Sequence, residues 1–289
     1  MHQRYTAHFQ VRSFDIDSWG ELSARMLAAY MEQTAWEASD AAGFSTDWYR
    51  EQGTAWFIRR LTLARRGPIA YQDALAATTW ISNIQRVRSS REYELHGPAG
   101  ALVAAGRADW VYMNVTRGTP TGIDRQIVAG FETGPPTPLL VTPAEAAPLP
   151  ALGRHFTSTR RAYRAEADSA GHINNTVYLA WLDEALAEAL AAAGLPLAAP
   201  ARPGLRLQGV WYVVDYLRSA LAGDAVAIGS RLIGTANPDL LEWTQEITRS
   251  DGEALLRCRS LQQICGLDAG APRPAGIIKA LTSEAGPGI

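Results

Sequence analysis

The sequence predicts an α+β fold built twice, each copy a long central helix wrapped by an antiparallel sheet. Three observations predict it. Residues Ile173 to Ala193 contain no Pro or Gly and carry Ile173, Val177, Tyr178, Leu179, Trp181, Leu182, Leu186 and Leu190 round the whole helical wheel. A helix apolar on every side belongs in a core. Each half of the chain adds a set of strand-like stretches, and the halves match at one fixed offset without a gap. With so few elements, burying such a helix requires a curved sheet folded about it. Two such sheets can join edge to edge, which hides exposed strand edges.

In order, Tyr5 to Arg12 reads as a strand and Phe14 to Gly20 as a polar turn. Leu22 to Ala42 reads as a helix closed by Gly43, with Leu22, Met26, Leu27, Tyr30, Met31 and Ala35 apolar. Strands follow at Ala55 to Ala64, Ala74 to Ser82, Arg88 to Leu95 and Leu102 to Met113, broken by Arg65-Arg66-Gly67-Pro68 and by His96-Gly97-Pro98. These make a first repeat over residues 1–130. Residues 131–153 hold Pro135, Pro136, Pro138, Pro143, Pro148 and Pro150, a density expected of an extended, semi-rigid linker. The second repeat, 154–267, offers a strand at Thr159 to Ala165, then the central helix, stopped by Gly194-Leu195-Pro196. Strands at Leu205 to Leu217, Ala225 to Gly234, Leu240 to Ser250 and Ala254 to Cys265 complete it. Residues 268–289 are rich in Gly, Pro and Ala and read as a poorly ordered tail.

The duplication is visible residue by residue. Gly20 and Gly171 stand 151 positions apart, as do Asp73 and Asp224, Thr6 and Thr157, Asp17 and Asp168, Glu37 and Glu188, and the runs Ala41-Ala42-Gly43 and Ala192-Ala193-Gly194. Any one match is weak. The shared order of strand, turn, long helix and four strands is not.

Composition narrows the class. The 289 residues are 47% hydrophobic with a formal net charge of -2, which argues against general affinity for nucleic acid or anionic membrane. No apolar run reaches the ~18 to 20 residues of a membrane span, and Met1 to Arg12 lacks a charged-then-apolar signal pattern. Cys258 and Cys265 lack metal-ligand company. A protein of a reducing compartment, the cytoplasm, is the expectation, with no metal and no cofactor.

The chemistry-bearing residues gather where the second helix begins. Asp168, Gly171, His172, Asn174 and Asn175 fall within eight positions. Asp168 suits a general base or a carboxylate nucleophile, or simply a helix cap. Backbone N–H groups near Gly171 and His172, at the start of the helix, can hold an oxyanion. His172 can polarise a carbonyl or carry a proton, or be satisfied by backbone. Asn174 stands between substrate contact and packing; Asn175 is expected to tie the turn to a strand, and Tyr178 to lie in the core. The first repeat has Glu21 where His172 stands and Ser23-Ala24 where Asn174-Asn175 stand, which leaves one working site per chain.

Four stretches carry a family resemblance: Phe9-Gln10-Val11-Arg12-Ser13-Phe14-Asp15-Ile16, Met31-Glu32-Gln33-Thr34-Ala35, Trp110-Val111-Tyr112-Met113-Asn114-Val115-Thr116-Arg117, and Gly171-His172-Ile173-Asn174-Asn175-Thr176-Val177-Tyr178. Together they resemble the acyl-acyl-carrier-protein thioesterases, which carry two hotdog folds in one chain. The last stretch is also similar to the wider 4-hydroxybenzoyl-CoA thioesterase group. The resemblance implies a double hotdog and hydrolysis of fatty acyl-acyl carrier protein to free acid and carrier thiol, in fatty acid biosynthesis. It implies a first repeat that shapes the acyl pocket, for which Trp56 and Trp110, with Trp36 and Trp80, are the aromatic candidates; each is equally open to a plain core role. Arg59-Arg60, Arg65-Arg66 and the Arg86 to Arg91 run can pair with an acidic carrier, or be solvated surface. A tandem chain already supplies the two units that single hotdogs obtain by dimerising, so monomer and homodimer both stand open.

The sequence departs from the plant pattern in two places. Ala170 replaces the Asn of Asp-x-Asn-x-His, and Ser219-Ala220 replace the Glu-Cys pair. A mechanism centred on Asp168 is therefore expected rather than a cysteine nucleophile. The other readings are an acyl-CoA thioesterase of the 4-hydroxybenzoyl type, a hotdog dehydratase, and a non-catalytic acyl-binding protein.

Overall fold

A computed structural model describes residues 4–138, 154–195, 205–237, 239–265 and 274–283. The chain divides into two compact units, Met1–Val141 and Thr142–Ile289. Most of the expected Pro-rich linker lies outside the described residues.

The first unit contains β1 (Tyr5–Gln10), α1 (Ala24–Ala41), α2 (Thr46–Glu51), β2 (Thr54–Arg65), β3 (Ala74–Gln85), β4 (Arg88–His96), β5 (Leu102–Asn114), β6 (Thr119–Pro120) and α3 (Arg125–Gly130). Its strands pair antiparallel in the order β1-β3-β4-β5-β2, with β6 against β5. The second contains β7 (Phe156–Arg161), α4 (Val177–Ala192), β8 (Arg206–Tyr216), β9 (Ala225–Asn237), β10 (Leu240–Arg249), β11 (Ala254–Cys265) and α5 (Pro274–Thr282). Its order is β7-β9-β10-β11-β8, again antiparallel. Each unit is the helix-and-sheet form expected.

Both helices seat deeply. Leu27, Met31 and Ala35 of α1 are buried. Gly106 on β5 lets the helix approach, because a Cβ there would stand 2.8 Å from Met31 Sδ. In α4 all seven expected apolar positions from Val177 to Leu190 are buried. Glu184 and Glu188 are exposed, however, with Ala180, Asp183 and Ala187 half-buried at the same helical spacing. The helix thus keeps one outward stripe and is not enclosed on every side.

The 151-residue offset governs the hydrogen bonds as well as the letters. Leu22 N–H donates to Ile69 O at 2.8 Å, and Ile173 N–H to Ala220 O at 3.0 Å. Val11 N–H donates to Asp73 O, and Ala162 N–H to Asp224 O. Ala70 N–H donates to Asp73 Oδ2 at 2.8 Å, and Leu221 N–H to Asp224 Oδ2 at 2.9 Å. Buried Asp15 accepts from Tyr30 Oη at 2.6 Å, and Glu166 from Trp181 Nε1 at 2.9 Å. An acid therefore braces the helix in each unit, a feature that sequence reasoning missed although the two acids share the common offset.

Asp15 couples this brace to pH. Burial pushes its carboxyl upward, but hydrogen bonds from Arg12 and Tyr30, and Arg12's charge, outweigh it and hold it below 3.8. A carboxyl depressed by folding adds stability above its unfolded value, and that stability is lost as pH falls through the folded value. Asp15→Asn is expected to lower stability at neutral pH by on the order of 2 kcal/mol and to flatten the acid limb below about pH 4. Urea midpoints measured across that range check it; an acid limb unchanged in the variant counts against the brace.

Several boundaries differ from expectation. The strand expected at Thr159 to Ala165 is Phe156–Arg161, followed by a 3-10 turn at Arg164–Glu166. The helix expected from Ile173 begins at Val177. Residues 268–289, expected as a tail, contain α5, whose Ile277 and Leu281 are fully buried with Leu190, Leu232, Leu241 and Trp243. Strongly apolar Ile277-Ile278 and Leu281 explain why this segment packs despite its Gly and Pro neighbours.

Candidate active site

The stretch Ala167 to Ile173 is a tight hairpin, closed by a bridge between those two residues. Asp168 N–H donates to His172 O at 2.8 Å, and Gly171 N–H to Asp168 O at 3.0 Å. Gly171 adopts φ 81, a left-handed conformation that glycine takes without steric cost. Asp168 is exposed at the tip, and its Oδ1 accepts from Ala170 N–H at 2.9 Å. This carboxylate brace of its own turn is the local bond Asp commonly makes in turns. Oδ2 makes no hydrogen bond to protein among the described residues.

His172 is half-buried on the returning arm and bridges Leu221. The hairpin thus brings the Asp168 and His172 backbones together and holds them against the turn at 219–224. That turn is itself pinned: Arg249 Nε donates to Asp224 Oδ2 at 3.1 Å and its Nη2 to Ser219 O at 3.1 Å.

Two expectations about the helix start are corrected here. Asp168 is not a cap of the central helix, since α4 starts nine residues later with Thr176 at its N-cap. Gly171 and His172 are likewise not at the helix start. The N–H groups of Gly171, Ile173 and Asn174 donate to Asp168 O, Ala220 O and Glu166 O, so those three are occupied and unavailable to an oxyanion. Asn174 serves the helix entry: its Oδ1 accepts from Thr176 N–H at 2.9 Å and Thr176 Oγ1 at 2.6 Å. It occupies the position of Ser23, which caps α1 through Met26 N–H.

Asn175 ties the segment to β8, but by its backbone: its carbonyl accepts from Tyr216 Oη at 3.0 Å. Tyr178 is core, as expected. Its hydroxyl accepts from Ala220 N–H at 2.8 Å, and burial pushes its pKa up to about 12. Ala220, at the place of the plant Cys, is fully buried and anchors the site through both backbone groups. Cys258 is buried among β-strand neighbours, and burial, with nearby Asp183 and Asp215, pushes its thiol up, which suits packing rather than nucleophilic attack.

In the first unit the same hairpin recurs without the imidazole. Asp17 N–H donates to Glu21 O at 2.7 Å, Gly20 has φ 81, and Asp17 Oδ1 accepts from Trp19 and Glu21 N–H. Of the tryptophans, Trp80 is buried, its Nε1 donating to Pro135 O at 2.7 Å, and Trp36 is exposed on α1. Trp56 and Trp110 are half-buried on β2 and β5, where Trp110 pairs with Ile58 and Trp56 with Tyr112.

Comparison with known proteins agrees with this architecture. Residues 2–131 match the model of the acyl-ACP thioesterase N-terminal domain, and residues 164–282 that of the thioesterase-like superfamily. An oleoyl thioesterase assignment from Lactobacillus plantarum superposes with TM-score 0.77 at 17% identity, over 92% of this chain and 98% of that one. The 12:0-ACP thioesterase from Umbellularia californica gives 0.72 at 15% identity, over 92% and 99%. The chloroplastic oleoyl-acyl carrier protein thioesterase 2 of Arabidopsis thaliana is 24% identical over 197 residues, 63% of this chain. That match spans 54% of the plant protein's length. The solved structures share its fold, two hotdog units in one chain. The first unit is similar to the acyl-ACP thioesterase N-terminal domain and the second to the thioesterase-like superfamily. Among the described residues, no helix is long and apolar enough to cross a membrane.

Proposed function

We propose that the chain hydrolyses fatty acyl thioesters carried on acyl carrier protein, releasing free fatty acid and the carrier's thiol. One observation carries this reading: two turns share a frame, but only the second carries an imidazole, His172, on the arm whose backbone is bonded to that of its aspartate, Asp168. In this mechanism Asp168 Oδ2 accepts a proton from water. The water oxygen attacks the thioester carbonyl carbon, the C–S bond breaks, and the leaving thiolate takes the proton back. His172 polarises the carbonyl or delivers that proton. Within the first unit, half-buried Trp56 and Trp110 offer aromatic surface for an acyl chain. Exposed Arg59, Arg60, Arg86 and Arg88 face an acidic carrier; Arg91, in the same basic run, is buried and has no part in docking.

Thiol release from acyl carrier protein and acyl-CoA thioesters of matched chain length tests the carrier. The expected kcat/KM is about tenfold or more higher on the protein carrier, because charge complementarity raises the encounter rate. A preference for acyl-CoA would transfer the chain to the hydroxybenzoyl-CoA type of reading. No hydrolysis of either would leave acyl binding without turnover.

A further inference from the structure

Arg91 is out of keeping with its surroundings. It stands on β4 between Ile81 of β3 and Ala108 of β5. Alternation along the strand puts it on the same face as Tyr93 and Leu95, which are core residues. It is 7% exposed. Its neighbour Glu92, on the opposite face, is buried with full company: Arg107 Nε, Ser82 Oγ and Thr137 N–H all donate to it. Arg91 has no such company. Among the described residues it makes no hydrogen bond and no ion pair. What lies about it is aromatic. Its guanidinium carbon is 5.5 Å from the centroid of Phe131, and the titratable groups that act on it are the neutral hydroxyls of Tyr93 and Tyr49, with no carboxylate among them.

Burial alone pulls this guanidinium's pKa below its ordinary value, yet arginine remains charged under any physiological condition. A buried, unpaired cation opposes folding, and an apolar side chain of similar volume would not. The missing counter-charge can come from a ligand. The side chains beside it suit a hydrocarbon one. Ser89 and Trp110 form the next pair on the same face, followed on β5 by Tyr112, itself paired with Trp56. Tyr49, Trp56 and Phe131 are half-buried rather than sealed.

We propose that the first unit holds a carboxylate-binding pocket, in which Arg91 grips the anionic end of a ligand whose hydrocarbon body packs on Trp56, Trp110 and Phe131. The rigid fork of N–H donors on arginine matches a carboxylate bidentately. The ligand class is a fatty carboxylate. It is either a free acid or the far end of an acyl group that carries a second carboxylate. The second source rests on the thioesterase reading; the first does not.

Calorimetric titration of the full chain with decanoate and with decanol tests the pocket without any turnover, so its failure is separable from failure of the hydrolysis reading. Decanoate is expected to bind more tightly than decanol, with Arg91→Met reducing that preference by about tenfold or more and Arg91→Lys retaining part of it. Arg91→Met is also expected to melt no lower than the parent, since it removes an unpaired buried charge. The sources are told apart by thiol release. If the far carboxylate is the ligand, the ratio of kcat/KM for decanedioyl over decanoyl thioester falls in Arg91→Met. If the free acid is the ligand, inhibition by added decanoate weakens instead. Equal binding of decanoate and decanol by the parent, unchanged decanoate binding in Arg91→Met, or a clearly lower melting temperature for that variant would each overturn the pocket.

Discussion

An Asp168→Asn chain is expected to fold as the parent does and to lose thioester hydrolysis by about 10²- to 10⁴-fold, the range typical of removing a general base. The geometry makes this substitution unusually clean. Asp168 holds its turn through Oδ1, which accepts from Ala170 N–H. An asparagine carbonyl oxygen can keep that bond, so the turn survives while the proton acceptor is gone. Asp17→Asn in the first unit is the matched control. It perturbs the same hairpin, in which Asp17 accepts from Trp19 and Glu21, but no imidazole stands opposite, and turnover is expected to stay within about twofold. Steady-state thiol release on both variants, with circular dichroism to verify folding, gives the result. Near-parental turnover by Asp168→Asn would remove the carboxylate from the chemistry.

Removing residues 268–289 is expected to destabilise the second unit severely. Ile277 and Leu281 are fully buried against Leu190, Leu232 and Trp243. Loss of each large aliphatic side chain from such a position costs about 2–5 kcal/mol. The two together approach the whole stability of many domains, about 5–15 kcal/mol. A fall in melting temperature of about 10–20 °C is expected for the truncated chain, and about a third to a half of that for Leu281→Ala alone. A truncated chain that melts with the parent would show that α5 is an ornament on the core rather than part of it.

The repeat was the most legible feature, because it depends on spacing alone. Gly20 and Gly171 share a letter, an offset and a φ of 81. Strand limits were also close, since β11 runs Ala254–Cys265 as alternation implied. The helix start was misread because Ile173 is apolar and sits in helical phase with Val177, yet its N–H goes to Ala220 O across the chain. Periodicity cannot distinguish such a bridge from a first helical turn. The short α2 and α3 were missed because six residues carry too little period to register. Their caps, Ser45 and Asp124, were the readable signal. At the site, the error was one of placement: Asp168, Gly171 and His172 lie on a hairpin ahead of the helix and not at its start. An Asn near a helix entry satisfies the backbone as readily as it meets a substrate, and Asn174 Oδ1 bonds Thr176.

The shared hairpin frame has a consequence for how this chain could acquire new chemistry. In both units the loop backbone is held by the same main-chain bonds and a carboxylate brace from its own aspartate. The duplication has therefore kept one scaffold while letting the residue on the returning arm diverge, Glu21 in one copy and His172 in the other.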